Sequence, residues 1–511
     1  MLIGDILRLT ARRYPTRTGL VCGETRLSYA ALDRAANRFA NATLAAGAAK
    51  GDAIAIVSRN SAEYVIAHYG SARIGTLLVN MMPAYAPAEL ADIFARIAPK
   101  IVLAEAASAE KVSAALAAAK QTPLLLVAGG AAAGAVSFDR FVAGAADAPP
   151  GVALDENEPF AMTFTGGTTG RPKGAVVSHR ARSHSSWLTA LEHEIAGEDV
   201  VGILTPLYHA MGLLIWLNAA VLVGATCVVL RGWDPDAFAD ACAEHGISNV
   251  IMVPVQLAAL LSDAHFAPEK LRGLARVGCG GATAPPALFA EVAARMPWTR
   301  FINHYGQSES GPLTMLRPFE SRDRTGTVGR PAAGVEIDVV DETGATVPPG
   351  TVGEIVTRGP GLMTGYYNDP EETAAFFRNG DGWGWTGDLA RVDEDGFVTL
   401  VGRSKDMIVS GGVNIYPREV ELVLERHEAV AECTVFGIPD AKWGEALAAL
   451  VVREGGATAG EDALIAFCAE NLARFKRPKL LRFVDAIPKT PAGKVQKPKL
   501  RAALLKELGL D

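Results

Sequence analysis

Residues 1–150 switch repeatedly between two hydrophobic periods, and that alternation narrows the fold more than any composition figure. Residues 3–14, 29–46 and 62–74 read as helices, with Ser28 placed to cap the second. Residues 53–57, 101–103 and 124–127 are short apolar runs of strand type. When a helix carries the return path, successive strands come to lie parallel. The expected class is therefore α/β with doubly wound, mostly parallel sheets. Residues 131–148 hold few large apolar side chains and read as a surface connection. The strand–helix rhythm resumes over 159–330. From 335 to 402 it gives way to short strands and turn signals, the pattern of a small antiparallel β-barrel. A charged link follows at 403–406, and a fresh α+β pattern starts at Met407. There Pro417 opens a helix to about residue 426, 430–436 and 446–452 read as strands, and 461–471 and 497–508 as helices. The expected organisation is a large N-terminal domain over 1–402, made of two doubly wound sheets plus the barrel. A hinge at 403–406 and a small mobile α+β domain over 407–511 follow it.

The chain has 511 residues, enough for more than one domain with a large core. Its net charge of −7 argues against broad nucleic-acid binding, which needs a basic face. The six cysteines, at 22, 227, 242, 279, 433 and 468, form no CxxC pair. Neither a zinc site nor a disulfide framework is indicated, and a reducing, cytoplasmic setting is expected. No secretory leader is visible at the N-terminus. Residues 211–230 are almost wholly apolar, and a membrane span needs roughly 20 such residues. Asn218 and Gly224 interrupt them, and 225–230 is rich in β-branched side chains. The expected structure is a buried helix, a glycine turn and a buried strand, without integral membrane association.

Between a strand-like run at 160–164 and a helix capped by Ser178 lies Thr165-Gly166-Gly167-Thr168-Thr169-Gly170-Arg171-Pro172-Lys173-Gly174. Glycines let backbone N–H groups approach an anion, threonine hydroxyls add donors, and Lys173 adds a compact positive charge. The composition describes a polyphosphate cradle. It departs from the P-loop, which needs Lys directly after the last Gly and then Ser or Thr. Further on, the small residues Gly278-Cys279-Gly280-Gly281-Ala282 leave room for a flat ligand. In Asn303-His304-Tyr305-Gly306-Gln307-Ser308-Glu309, Tyr305 can stack a base, Ser308 can donate to phosphate, and Glu309 can hold Mg²⁺. Asp388, in Trp385-Thr386-Gly387-Asp388, can accept from ribose hydroxyls. Lys494 is presented by a Gly/Pro loop, as many inert surface lysines are. His209 sits among small residues and reads either as a cavity-lining side chain or as a core histidine. Trp443, Phe475, Arg477 and Lys479 set aromatic rings among cations, which suits a phosphorylated nucleotide and equally a solvated basic helix end.

The ordered set of phosphate loop, Tyr/Glu segment, Thr-Gly-Asp, Gly-Arg link and terminal Gly-Lys resembles the adenylate-forming superfamily along essentially the whole chain. That superfamily comprises acyl-CoA synthetases, peptide-synthetase adenylation domains and beetle luciferases. The family has Thr where Ser308 stands, so a hydroxyl is kept. The resemblance implies an AMP-forming carboxylate–CoA ligase that uses ATP, Mg²⁺ and coenzyme A and passes through an acyl-AMP. It assigns Lys494, His209, Glu309 and Thr165 to catalysis, with Glu309 and Thr165 at the metal. Nucleotide contacts would be Thr165, Gly166, Gly167, Thr168, Thr169, Gly170, Lys173, Gly281, Ala282, Asn303, His304, Tyr305, Gly306, Gln307, Ser308, Asp388 and Arg403. Coenzyme A would meet Gly411, Gly412, Trp443, Phe475, Arg477 and Lys479, and Lys405 would be the hinge. The candidate acyl pocket walls Leu213, Ile251, Val253, Val255, Cys279, His304, Gly306 and Pro312 include no fixed cation. They suit an apolar monocarboxylate, medium-chain fatty or aryl, better than a dicarboxylate. A free-standing enzyme loading an acyl carrier protein is the alternative. A homodimer, and an acetyltransferase acting on Lys494, are compatible with the family.

Overall fold

Ala53–Val57, Leu77–Met81 and Ile101–Glu105 are buried along their whole length, which is why they read as near-continuous apolar runs. They pair in parallel with each other, with Pro159–Thr165 on one side and Leu124–Ala128 on the other. Lys173–Ser178 and then Gly365–Tyr366 extend this sheet antiparallel at one edge. The buried amide of Asn80 is satisfied: its side chain accepts from Tyr64 Oη at 2.8 Å and donates to Met162 O at 3.3 Å. The computed structural model describes residues 1–165, 172–320, 323–490 and 494–510. They fall into two compact units, one of 1–325, 331–336 and 357–384, the other of 326–330, 337–356 and 385–511.

The first unit holds a second sheet. In it Thr18–Cys22, Thr226–Val229, Val200–Ile203, Asn249–Met252, Arg276–Cys279 and Arg300–Gln307 lie side by side and parallel. Gly311–Leu316 folds back antiparallel on the last of them. Helices Ile3–Arg13, Tyr29–Ala45 and Ala62–Ser71 form where periodicity places them, the third ending three residues early. Ser28, Ser61 and Ser178 each accept the N–H three residues on, the cap that fixes a helix start.

The apolar 211–230 stretch is a buried π-helical turn, Met211–Leu217, running into helix Asn218–Val223 and strand Thr226–Val229. Asn218 anchors it from inside, taking a hydrogen bond from Tyr69 Oη at 2.9 Å and pairing with His68 Nε2 at 3.0 Å. Among the described residues no helix is long and apolar enough to cross a membrane. The 131–148 stretch is not merely a surface connection, because it contains Val136–Ser137 and helix Phe138–Val142. Phe138 is buried and stacks on Phe39 with ring centroids 5.7 Å apart. One aromatic docks a segment whose average composition is poor.

In the turn-rich region, Glu336–Val340, Gly353–Arg358, Gly384–Val392 and Val398–Arg403 take the form of a four-stranded sheet in that order. In the C-terminal part of the second unit, Val430–Asp440 and Gly444–Arg453 form a long antiparallel pair, with Leu480–Phe483 parallel to the latter. Alternate residues of these strands point to two cores. Val435, Leu447 and Ala449 meet Val420, Leu424 and Leu464 of helices Pro417–Leu424 and Glu461–Asn471. Phe436, Ile438 and Ala448 meet Leu504 and Leu505 of helix Lys497–Leu508.

Candidate active site

In the first unit, the strands flanking the glycine-rich loop pair antiparallel and set Thr165 opposite Lys173. Gly166, Gly167, Thr168, Thr169 and Gly170 lie outside the described residues. Glu309 follows strand Arg300–Gln307 and is 9% exposed. Its Oε1 accepts from Thr165 Oγ1 at 3.2 Å and from Tyr366 Oη at 2.9 Å. Lys173 is ion-paired with Glu372, and its Nζ stands 5.6 Å from the centroid of the Tyr366 ring. Behind them Arg182 is wholly buried. It donates to Ser308 O and to Ser185 Oγ. Burial draws its pKa down to about 10 against the opposing pull of the Glu309 charge.

Asn303, His304 and Tyr305 are buried residues of strand Arg300–Gln307. Ring nitrogens His304 Nδ1 and His193 Nε2 meet at 3.2 Å. Burial lowers the pKa of both, so the pair is neutral. The His304 ring lies so close over Gly280 that a Cβ there would come within 2.3 Å of its Nε2, which requires glycine. Among the candidate pocket walls, Leu213, Ile251, Val253, Cys279 and Pro312 are buried, whereas Val255 is 43% exposed at the start of its helix. His209 is half-buried and its ring centroid stands 4.8 Å from that of Tyr208.

In the second unit, adjacent strands set Asp388 opposite Arg403, and the two form an ion pair with Arg403 Nε 2.8 Å from Asp388 Oδ1. Thr386 braces the turn before them, donating to Ile355 O at 2.8 Å and accepting from Asp388 N at 3.1 Å. Lys405 lies on the single turn Ser404–Asp406. Lys494 is exposed, its backbone N–H donating to Thr490 Oγ1 at 3.2 Å. Gly411 donates to Trp443 O at 2.8 Å, and a Cβ on it would come within 2.7 Å of the indole. Lys442 and Lys479 lie 4.9 Å and 5.6 Å from the centroid of that ring, which is 43% exposed. Lys479 is paired with Asp440 at 2.7 Å. Phe475 is exposed. Arg477 donates to Ala469 O at 2.8 Å and Leu472 O at 3.2 Å, closing the end of helix Glu461–Asn471.

Residues 7–367 match the family model described as AMP-binding enzyme, and 419–494 match AMP-binding enzyme C-terminal domain. The chain belongs to the AMP-binding enzyme family. It is 34% identical over 492 residues to a feruloyl-CoA synthase of Amycolatopsis sp, covering 96% of each chain. It is 32% identical over 502 residues to the fatty acid–[acyl-carrier-protein] ligase ScoC of Streptomyces coeruleorubidus, covering 96% of this chain and 94% of that one. Its fold matches that of ATP-bound MatB from Rhodopseudomonas palustris with TM-score 0.90 and 30% identity, covering 98% and 99% of the two chains. It is an AMP-forming acid–thiol ligase of the acyl-CoA synthetase class, whose members use ATP, Mg²⁺ and coenzyme A.

The AMP-binding enzyme carries a donor set that fits Mg²⁺, since a buried carboxylate and a threonine hydroxyl are the hard oxygens that ion prefers. Sequence reasoning did not single out Tyr366, Glu372, Arg182 or His193. Each gains its place from a strand or helix far away in the chain.

Proposed function

We propose that this enzyme joins an apolar monocarboxylic acid, medium-chain fatty or aryl, to coenzyme A. In the first half-reaction a carboxylate oxygen attacks the α-phosphorus of ATP, and pyrophosphate leaves with its bridging electron pair. In the second, the CoA thiol attacks the acyl carbon of the acyl-AMP, loses its proton and releases AMP. The first step needs charge stabilisation more than a general base. Thr165, Thr168 and Lys173 would bind phosphate oxygens, and Glu309 with Thr165 would hold Mg²⁺, which neutralises developing charge. Tyr305, with Asn303, His304, Gly306, Gln307, Ser308, Gly281 and Ala282, would receive the adenosine, and Asp388 with Arg403 the ribose. Lys494 would neutralise the carboxylate and α-phosphate oxygens, and His209 would stand between the acid and the thiol. Lys405 would be the hinge between domains 1–402 and 407–511. A cytoplasmic setting, a homodimer and acetylation at Lys494 belong to the same reading.

The observation that carries it is the close approach of Thr165, Glu309 and Tyr366 beside Lys173 in a chain with full-length acyl-CoA ligase relatives. The test is a panel of acids in an AMP-release assay with coenzyme A or acyl carrier protein as acceptor. Aryl and medium-chain acids should release AMP with coenzyme A, and dicarboxylates should not. The ScoC relative favours the carrier-loading alternative. Activity with the carrier alone would select it.

Gly411, Gly412, Trp443, Phe475, Arg477 and Lys479 would meet coenzyme A. Arg477→Ala should raise the CoA KM roughly tenfold, the order of a lost charge-assisted hydrogen bond, and leave ATP–pyrophosphate exchange nearly intact. Its two helix-end bonds supply the competing outcome. Equal loss in both assays would make Arg477 a structural cap.

A further inference from the structure

Glu309 is held by two hydroxyls from distant parts of the chain. Thr165 closes the strand before the phosphate loop. Tyr366 comes from a two-residue strand paired antiparallel with Lys173–Ser178, where it sits opposite Ala175. That tyrosine is itself fixed. Its N–H donates to Thr373 Oγ1 at 2.9 Å, and Thr373 in turn donates to Asp369 O at 2.7 Å. Asp369 caps the following helix, Pro370–Phe376, by accepting from Glu372 N at 3.1 Å. Glu372 reaches back to Lys173, whose ammonium stands near the face of the Tyr366 ring. The strand and helix thus tie the phosphate-loop lysine and the buried carboxylate into one network.

Both hydroxyls bond the same oxygen, Oε1. Among the described residues no donor reaches Oε2. We infer that Tyr366 is a positioning residue: its hydroxyl fixes the Glu309 carboxylate so that Oε2 is the oxygen available to a divalent cation. This rests on the proposed metal role of Glu309. A carboxylate with both oxygens unheld would have to lose rotamer freedom when the ion binds, and a fixed one has already lost it. Tyr366 does not touch substrate in this scheme. Its effect passes through Glu309.

Tyr366→Phe removes only the hydroxyl and keeps the ring that packs beside Lys173. Binding of a non-hydrolysable ATP analogue, titrated calorimetrically at graded Mg²⁺, should need roughly tenfold more Mg²⁺ for half-maximal affinity, the effect of one lost hydrogen bond to a charged group. Mn²⁺ binding followed by electron paramagnetic resonance should weaken in parallel. At saturating Mg²⁺, kcat should return close to that of the parent, with the unfolding midpoint little changed. A merely structural tyrosine would instead lower stability and depress kcat equally at every Mg²⁺ concentration, and that result would overturn the inference. An unshifted Mg²⁺ requirement in Tyr366→Phe also overturns it. Glu309→Gln, run alongside, tells which premise failed. If it shifts the requirement and Tyr366→Phe does not, only the positioning role is lost. If neither shifts it, the metal role of Glu309 falls as well.

Discussion

Lowering the pH from 7 to 5 should destabilise the fold by about 4 kcal/mol through two histidines alone, His68 and His179. Both are fully buried. Burial is the largest cause of their depressed pKa, about 4 for each against an ordinary 6.5. His179 Nδ1 accepts from Ile3 N at 3.2 Å, a bond only the unprotonated nitrogen can take. His68 Nε2 faces Asn218 Oδ1. In the unfolded chain each ring takes up a proton near pH 6.5, whereas in the folded chain it does so only near pH 4. Between those values the unfolded state binds more protons, so stability is full above 6.5 and is lost as pH falls. At pH 5 each site accounts for about 2 kcal/mol. The neutral His193–His304 pair adds loss in the same direction. The total is a large part of the 5–15 kcal/mol typical of a domain. Urea unfolding at pH 7 and pH 5 measures it, with His68→Gln expected to flatten the dependence. An equal midpoint at both pH values would mean that these rings titrate normally.

Much of the fold was legible because its signals are local. Ala53–Val57 is a run of five buried apolar residues with no helical spacing. Ser28 and Ser178 sit where an N-cap must. Asn218 and Gly224 rightly broke up a stretch long enough for a membrane span. The site was legible only where a residue type announces its chemistry, as Glu309 and Lys173 do. Arg182 was not. Its helix reads HRARSHSSWLTALE, which looks like a solvated face, yet His179, Arg182, Ser185 and Ser186 are all buried. The serines hide their polarity by bonding back along the helix, Ser185 Oγ to Ala181 O at 2.9 Å and Ser186 Oγ to Arg182 O at 2.7 Å. Tyr366 escaped notice for a different reason. Its partner Glu309 is 57 residues away, and only the pairing of a two-residue edge strand brings them together.

Lys494→Ala should slow acyl-AMP formation by about 10²–10³, the usual effect of losing one preorganised charge contact in a transition state. In the proposed mechanism its ammonium neutralises the carboxylate and α-phosphate oxygens as the bond between them forms. That charge is needed in the first half-reaction only, since thiol attack on the acyl carbon develops charge elsewhere. Thioester formation from supplied acyl-AMP should therefore survive. The structure makes the variant a clean test. The side chain is exposed, while the backbone is held by reciprocal bonds with Thr490, whose N–H donates to Lys494 O at 2.8 Å. Alanine removes the charge without emptying a core. Acetylation should mimic it, because it too abolishes the charge. Lys405→Pro should show the opposite pattern. Fixing φ in the proposed hinge should spare adenylation more than thioester formation, if the second half-reaction needs the C-terminal domain to reorient. Single-turnover kinetics of each half-reaction, for both variants, is the measurement. Equal slowing of both half-reactions by Lys494→Ala would place the lysine in a shared binding contact, and the proposed division of labour would fall.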